Sequence, residues 1–326
     1  MKTLGLKAIA SFFLAAMLSG FSWATTTAAE SASPGTLNYV EGSAAIGTQT
    51  LASNSVGSVN LQAGETLATQ NGKAEILLTP GVFLRLDENS SVKMISPSIT
   101  DTQLAIASGN AMIEVAEIHP ENDIRISEDG ATTRLLKTGL YGFDAAQDQM
   151  RVFDGRAVVQ DGDRQITVKS GHQLTLNTST KLKAQKFDKK EYEQSDLYRW
   201  SSLRSSYLSE ANRDAARIYV ANGWYGPGWI GAGWYWDPWY SAYTFLPGNG
   251  IFYSPFGWGF YSPLVVYRTG FYGGGLGYYH HFGSTYHPSV QARGFGHAPV
   301  GGFHSAPSFH AQSFGGFHGG GFGGRR

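Results

Sequence analysis

The chain has 326 residues, 25 Lys and Arg against 25 Asp and Glu, and no cysteine. The missing cysteine excludes a lipidated N-terminus, disulfides, thiolate metal sites and a cysteine nucleophile. The balanced charge, with no basic cluster beside the aromatics, excludes an ordinary nucleic-acid binder. The charge is unevenly spread: residues 30–186 carry −5, residues 187–218 balance, and residues 219–326 carry +3, with four arginines against Asp237.

Lys2 and Lys7, the apolar run Ala8–Leu18 and the small residues flanking Trp23 predict a secretory signal over residues 1–24, with cleavage as late as Ala29 as the second reading. Ser11, Ser19, Gly20 and Ser22 interrupt that run. It therefore falls short of the roughly 20 mainly apolar residues a membrane span needs. A retained anchor is the alternative. The expectation is an exported protein with no integral span, resident in a periplasm, at an envelope or outside the cell.

Residues 31–186 alternate apolar and polar positions in short runs, such as Lys73–Thr79, Val82–Leu86, Gln103–Ala107, Ala111–Val115 and Gln165–Val168. That period marks half-buried strands. Turn signals such as Thr79-Pro-Gly81, Ser108-Gly-Asn110 and Asp154-Gly155 recur between the runs. An all-β domain, sandwich- or solenoid-like, is predicted. With about 155 residues it is large enough to bury a core without disulfides.

Residues 187–218 change character. Tyr192, Leu197, Trp200, Leu203, Tyr207 and Ala211 recur at steps of three to five without Gly or Pro, which predicts a short amphipathic helical segment, interrupted near Ser205-Ser206. Residues 219–326 then hold 26 of the 42 glycines and 30 of the 44 aromatics. Gly, Pro and a five-residue tryptophan step favour turns or open coil, so this tail is expected to be largely irregular and disordered.

Within the tail, Trp224, Trp229, Trp234, Trp236, Trp239 and Trp258 are the candidate contact surface. Three readings stay open: stacking on sugars, association with itself or with other envelope surfaces, and packing back onto the β-domain. His280, His281 and His287 are the densest imidazole group and weak candidates for capturing zinc, copper or nickel, against a reading as low-complexity sequence. No cofactor is expected.

The β-region resembles the FecR domain of bacterial envelope proteins. Gly35-Thr-Leu-Asn-Tyr-Val-Glu-Gly42 is similar to that family's first strand and turn. Leu67–Gly72, Ala74–Leu78, Gly81, Leu84-Arg-Leu86 and Ser91-Val92 follow its most distinctive block. Leu104–Val115 with Ser108-Gly109, Val152–Val159 with Gly155, and Val168–Leu176 with Gly171 resemble its later strands. Thr138-Gly139-Leu-Tyr141 departs from the family's usual Gly-Thr pair.

The resemblance implies a β-module that binds a partner protein or a cell-wall component, and it supplies no catalytic residues. The well-known members are single-pass regulators that relay a signal to a sigma factor. A signal peptide in place of a span makes an envelope binding role the first expectation here. A sensor component acting with a separate membrane partner is the alternative.

Enzyme motifs are few. Ser90-Ser-Val-Lys93 and Lys137-Thr-Gly139 match fragments of the penicillin-recognising pattern, but that chemistry needs Ser and Lys one helical turn apart, and Ser90 lies in strand-patterned sequence. Asp87-Glu88, Glu114/Glu117 and Asp161/Asp163 are acidic pairs that read as solvated turn residues, since calcium needs more oxygen ligands than each pair offers. No enzymatic reaction is expected.

Overall fold

The computed structural model describes residues 32–176, 182–221 and 232–271. The proposed signal segment, Trp224, Trp229 and the histidines His280, His281 and His287 lie outside them.

The fold starts from one long antiparallel ribbon. β1 (Leu37–Ile46), with a short partner β2 (Gln49–Thr50), runs against β3 (Thr66–Leu77). The ribbon bends where Gly42 faces Gly72. Gly42 has φ +64°, and a Cβ there would sit 2.1 Å from the Asn71 carbonyl oxygen, so two glycines are needed for the backbones to close in and the sheet to fold over.

Each half of the ribbon then seeds one layer. On the N-terminal half of β3 lie, in order, β5 (Ser91–Ser98), β6 (Asp101–Ser108), β8 (Ile124–Glu128), β9 (Ala131–Leu135), β12 (Arg156–Asp161) and β13 (Arg164–Lys169). On its C-terminal half lie β4 (Val82–Leu86), β7 (Asn110–Val115), β10 (Gly139–Asp144), β11 (Gln149–Asp154), β14 (His172–Thr175) and β15 (Gln185–Lys186). We call these layers A and B. They belong to one 15-stranded sheet folded on itself, not to a closed barrel. After β4 the chain winds repeatedly from one layer to the other, which is why its sequence pattern fits both a sandwich and a solenoid.

Between the layers sits the main core. Leu37, Ala74, Ile76, Leu84, Val92, Leu104, Ile113, Ile126, Tyr141, Val152 and Val159 are all buried in it. In layer A the alternation is simple: Thr102, Leu104 and Ile106 of β6 point inward while their neighbours are more open. Layer B differs. Every residue of β4 and β10 is buried, so both faces of that layer are covered.

The outer cover of layer B comes from the C-terminal third of the described chain. Asp188 caps α1 (Lys189–Tyr192), accepting from the Lys190 N–H. Ser195 then accepts the Tyr198 N–H at the start of α2 (Asp196–Ala221). The helical segment therefore breaks at residues 193–195, and α2 runs uninterrupted through Ser205-Ser206 for 26 residues.

Within the segment expected to be largely irregular, residues 233–271 form two hairpins and a helix: β16 (Gly233–Asp237) with β17 (Ala242–Leu246), β18 (Ile251–Tyr253) with β19 (Gly259–Tyr261), and α3 (Pro263–Phe271). The first turn is set by Asp237, whose Oδ1 accepts from the Trp239 and Tyr240 N–H groups. The second is set by Ser254 and by Gly257 at φ +90°.

Candidate functional site

The outer face of layer B is where charge, burial and the C-terminal segment meet. Glu75 of β3, Arg85 of β4 and Glu114 of β7 stand side by side on it because each alternates with inward-facing core residues. All three are fully buried. Arg85 Nε donates to Glu75 at 2.7 Å and its Nη1 to Glu114 at 2.5 Å.

α2 completes this cluster. Arg204 Nη2 donates to the second Glu75 oxygen at 2.9 Å, and Ser205 Oγ donates to Glu114 Oε1 at 2.8 Å. Asn38 adds a donor to Glu75 at 2.9 Å. Two carboxylates thus balance two guanidiniums in a buried interface. Burial alone would raise the Glu75 carboxyl, but Arg204 and Arg85 outweigh it and hold it below the ordinary carboxylate range. At the edge, Lys73 bridges Asp87 at 3.3 Å and Asp196 of α2 at 2.6 Å.

The face α2 buries coincides only in part with the apolar stripe visible in its sequence, sharing Leu197 and Ala211 with it. Leu197, Ser201, Arg204, Ser205, Leu208, Ser209, Ala211, Asn212, Ala215 and Ala216 are buried, whereas Leu203 and Tyr207 are 50% and 47% exposed. A sheet face carrying Glu75, Arg85 and Glu114 selects small and polar partners, so the helix turns its serines inward. Asn212 then ties both hairpins to the helix. It donates to the Phe245 and Tyr261 carbonyls at 2.8 and 3.1 Å and accepts from the Tyr261 N–H at 2.7 Å. On the opposite side Asn38 pairs with both backbone groups of Tyr243.

Beside the ion cluster lies an aromatic one. Phe83 of β4 meets Trp234 edge-on at 5.1 Å and stacks near Phe260 at 6.2 Å, and Phe245 packs on Phe260 at 5.6 Å. The candidate tryptophans therefore divide. Trp234 and Trp236 pack against this cluster. Trp239, at the tip of the first hairpin, is 85% exposed, and Trp258 is also exposed. Tyr240, next to Trp239 in the chain, and Tyr207 are exposed, and burial raises the Tyr240 phenol, with Asp214 and Glu210 adding to the rise.

The serine of the first enzyme-like fragment holds a structural post. Ser90 Oγ donates to the Glu88 carbonyl at 2.9 Å and accepts the Asn110 N–H at 2.8 Å, locking a turn on strand-flanked sequence. Lys137 lies in the β9–β10 connection. Of the acidic pairs, Glu114 is not a solvated turn residue; it sits within β7, fully buried, where Arg85 neutralises it and Ser205 donates to it. Glu117 reaches His119 at 3.0 Å, and Asp161 pairs with Arg164. Among the described residues no three His, Asp or Glu side chains are grouped to hold a metal ion, and no helix is long and apolar enough to cross a membrane.

No curated protein matches the chain. Two crystal structures of a candidate anti-sigma factor from Parabacteroides distasonis match it at 14% identity with a TM-score of 0.33, covering 38% of this chain. The match spans 60% of that protein. The family model described as FecR protein matches residues 65–158, which run from β3 into β12 and take in the ion cluster's three strands and most of both layers, but not β1. The chain carries a FecR domain.

Proposed function

We propose that this protein is a non-catalytic FecR-type signalling component, exported by its N-terminal segment, whose two-layered domain senses or relays a signal through contact with a separate membrane partner. The observation that carries this reading is the FecR match over residues 65–158. The coverage of layer B by the chain's own α2 and hairpins supports it, since that leaves layer A and the edges of the fold for a partner. The Ser90 hydroxyl of the first enzyme-like fragment is spent on a turn, which supports the non-catalytic reading.

The test is in vivo cross-linking of the tagged full chain in its own bacterium, with identification of the captured proteins, alongside transcript profiling of a deletion strain. Capture of one membrane receptor or sigma-regulatory protein, with one regulon changed on deletion, is the expected result. An unchanged transcriptome, with the protein sedimenting on purified sacculi and capturing no protein, would overturn it.

That second outcome belongs to the rival reading, an envelope protein that binds cell-wall polysaccharide or itself. The exposed Trp239 and Trp258, set among Tyr207, Tyr240 and Tyr253, favour it, because large rigid aromatics give contact area at little entropic cost.

A further inference from the structure

Three crossings between the layers come together at one corner of the fold: residues 136–138 between β9 and β10, Gly155 between β11 and β12, and Ser170-Gly171 between β13 and β14. Leu136 N–H donates to the Arg156 carbonyl at 2.9 Å and Ser170 N–H to the Gly155 carbonyl at 3.2 Å, which draws the crossings against one another. Between them is a shallow cleft of about 420 Å³ lined by Lys137, Thr138, Asp154, Arg156, Lys169 and Ser170.

Each crossing thus brings one cation to the same cleft. None of Lys137, Arg156 and Lys169 forms an ion pair among the described residues. A fourth cation stands beside them, with Lys189 Nζ donating to Ser170 Oγ at 3.2 Å. The single carboxylate, Asp154, already accepts the Gly155 N–H at 2.9 Å. This concentration of positive charge occurs in a region whose net charge is −5.

The arrangement sets like charges close together. Arg156 and Lys169 are directly opposed across the β12–β13 ladder, a position where like charges destabilise a sheet. The backbone is also held in place from below. The Tyr141 hydroxyl donates to the Lys137 carbonyl at 2.6 Å, lies 3.1 Å from the Arg156 carbonyl and accepts the Arg156 N–H at 3.2 Å. Gly155, at φ +97°, leaves room for that hydroxyl, since a Cβ there would approach it to 2.4 Å.

We propose that this cleft binds an oxyanion, a phosphate or carboxylate group, held by Lys137, Arg156 and Lys169 with the Thr138 hydroxyl as an added donor. The charge-assisted bonds available to such a group relieve the Arg156–Lys169 repulsion. It arrives either free or carried on an anionic lipid or polymer.

The test compares the full chain with the R156Q/K169Q double variant. Melting temperature is followed during titration with inorganic phosphate, and separately with acetate, at ionic strength held constant with sodium chloride. General salting-out by phosphate acts equally on both proteins, so the difference between them is the readout. A rise of a few degrees in the wild type that the variant lacks is expected, since a ligand binding only the native state raises its melting point. In phosphate-free buffer the variant should melt no lower than the wild type, which a purely structural role for these cations does not predict.

Cosedimentation with phosphatidylglycerol vesicles, lost in the variant, would assign the group to a lipid headgroup. A phosphate or acetate response without it would assign a soluble or polymer-borne anion. Identical titrations for the two proteins, or a variant that melts well below the wild type in chloride alone, would overturn the proposal.

Discussion

Glu128 closes β8 at the turn Asp129-Gly130, where the β8–β9 hairpin comes up against the β10–β11 turn of the other layer. It is 3% exposed, and neither carboxyl oxygen has a hydrogen-bond partner among the described residues. Burial pushes its pKa from the ordinary 4.5 to about 8, with Asp144, Asp148 and Asp129 adding to the rise and Arg151 opposing it. The native state therefore keeps a proton that the unfolded chain has released.

The contribution of Glu128 to native stability is fully present below pH about 4.5, erodes as pH rises toward about 8, and stays on a lower plateau above it. At about 1.4 kcal/mol per pKa unit the loss is at most about 5 kcal/mol. Water entering the turn on ionisation reduces that, and about 2–3 kcal/mol is the working expectation. Glu128→Gln keeps the shape and removes the titration. Urea unfolding of both proteins, followed by tryptophan fluorescence between pH 5 and 9, should give curves that diverge with pH, the wild type losing the more stability. Parallel profiles would refute the assignment of a neutral buried carboxyl at this position.

Four further outcomes follow from the packing. Arg85→Met removes the guanidinium shared by Glu75 and Glu114, leaves Glu114 with Ser205 and no cation, and should cost about 3–5 kcal/mol by chemical denaturation; a loss under about 1 kcal/mol would mean the cluster is hydrated. Trp234→Ala, which removes a ring from the Phe83 cluster, should cost about 2 kcal/mol, while Trp239→Ala at the exposed hairpin tip should leave unfolding unchanged. Tyr141→Phe should cost about 1–2 kcal/mol by urea unfolding, because it removes the hydroxyl that joins the Lys137 and Arg156 backbones. A chain ended at Ala221 loses the hairpins that cover Leu77 and Phe83, so it should bind a hydrophobic dye and melt lower, whereas an unchanged melting curve would show the hairpins to be loosely held.

How much of this was legible in the sequence depended on which face of a strand was being read. Inward positions such as Leu84, Ile113 and Val152 announce themselves by alternation, and the two-layer domain follows from them. Arg85, Glu75 and Glu114 alternate with the same residues and so read as solvent-facing. Nothing local says that a helix 91 to 129 positions downstream will cover them. The same omission hid the buried face of α2, because Ser201, Ser205, Ser209 and Asn212 look like a polar face until their partners are known.

In the tail, Asp237 before Pro238-Trp239 and Ser254 before Pro255 are turn-setting residues that could have signalled hairpins. Glycine content masked them. Lys137, Arg156 and Lys169 are separated by up to 32 positions and meet only because three layer crossings converge, which no spacing rule encodes.

The chemistry of the α2 interface bears on what the domain can still bind. An apolar helix on an apolar sheet could slide or rotate with little penalty. Here Arg204 must reach Glu75, Ser205 must reach Glu114, and Asn212 must meet both hairpin backbones at once. Shifting the helix by one residue breaks every one of these bonds and leaves charges buried without partners. A register-setting role is thus the reading the geometry supports for a cluster whose net contribution to stability is small. The cover over layer B is consequently an integral part of the fold, and a partner meeting this FecR domain in its native state has layer A, the cationic corner and the exposed aromatic hairpin tips to recognise.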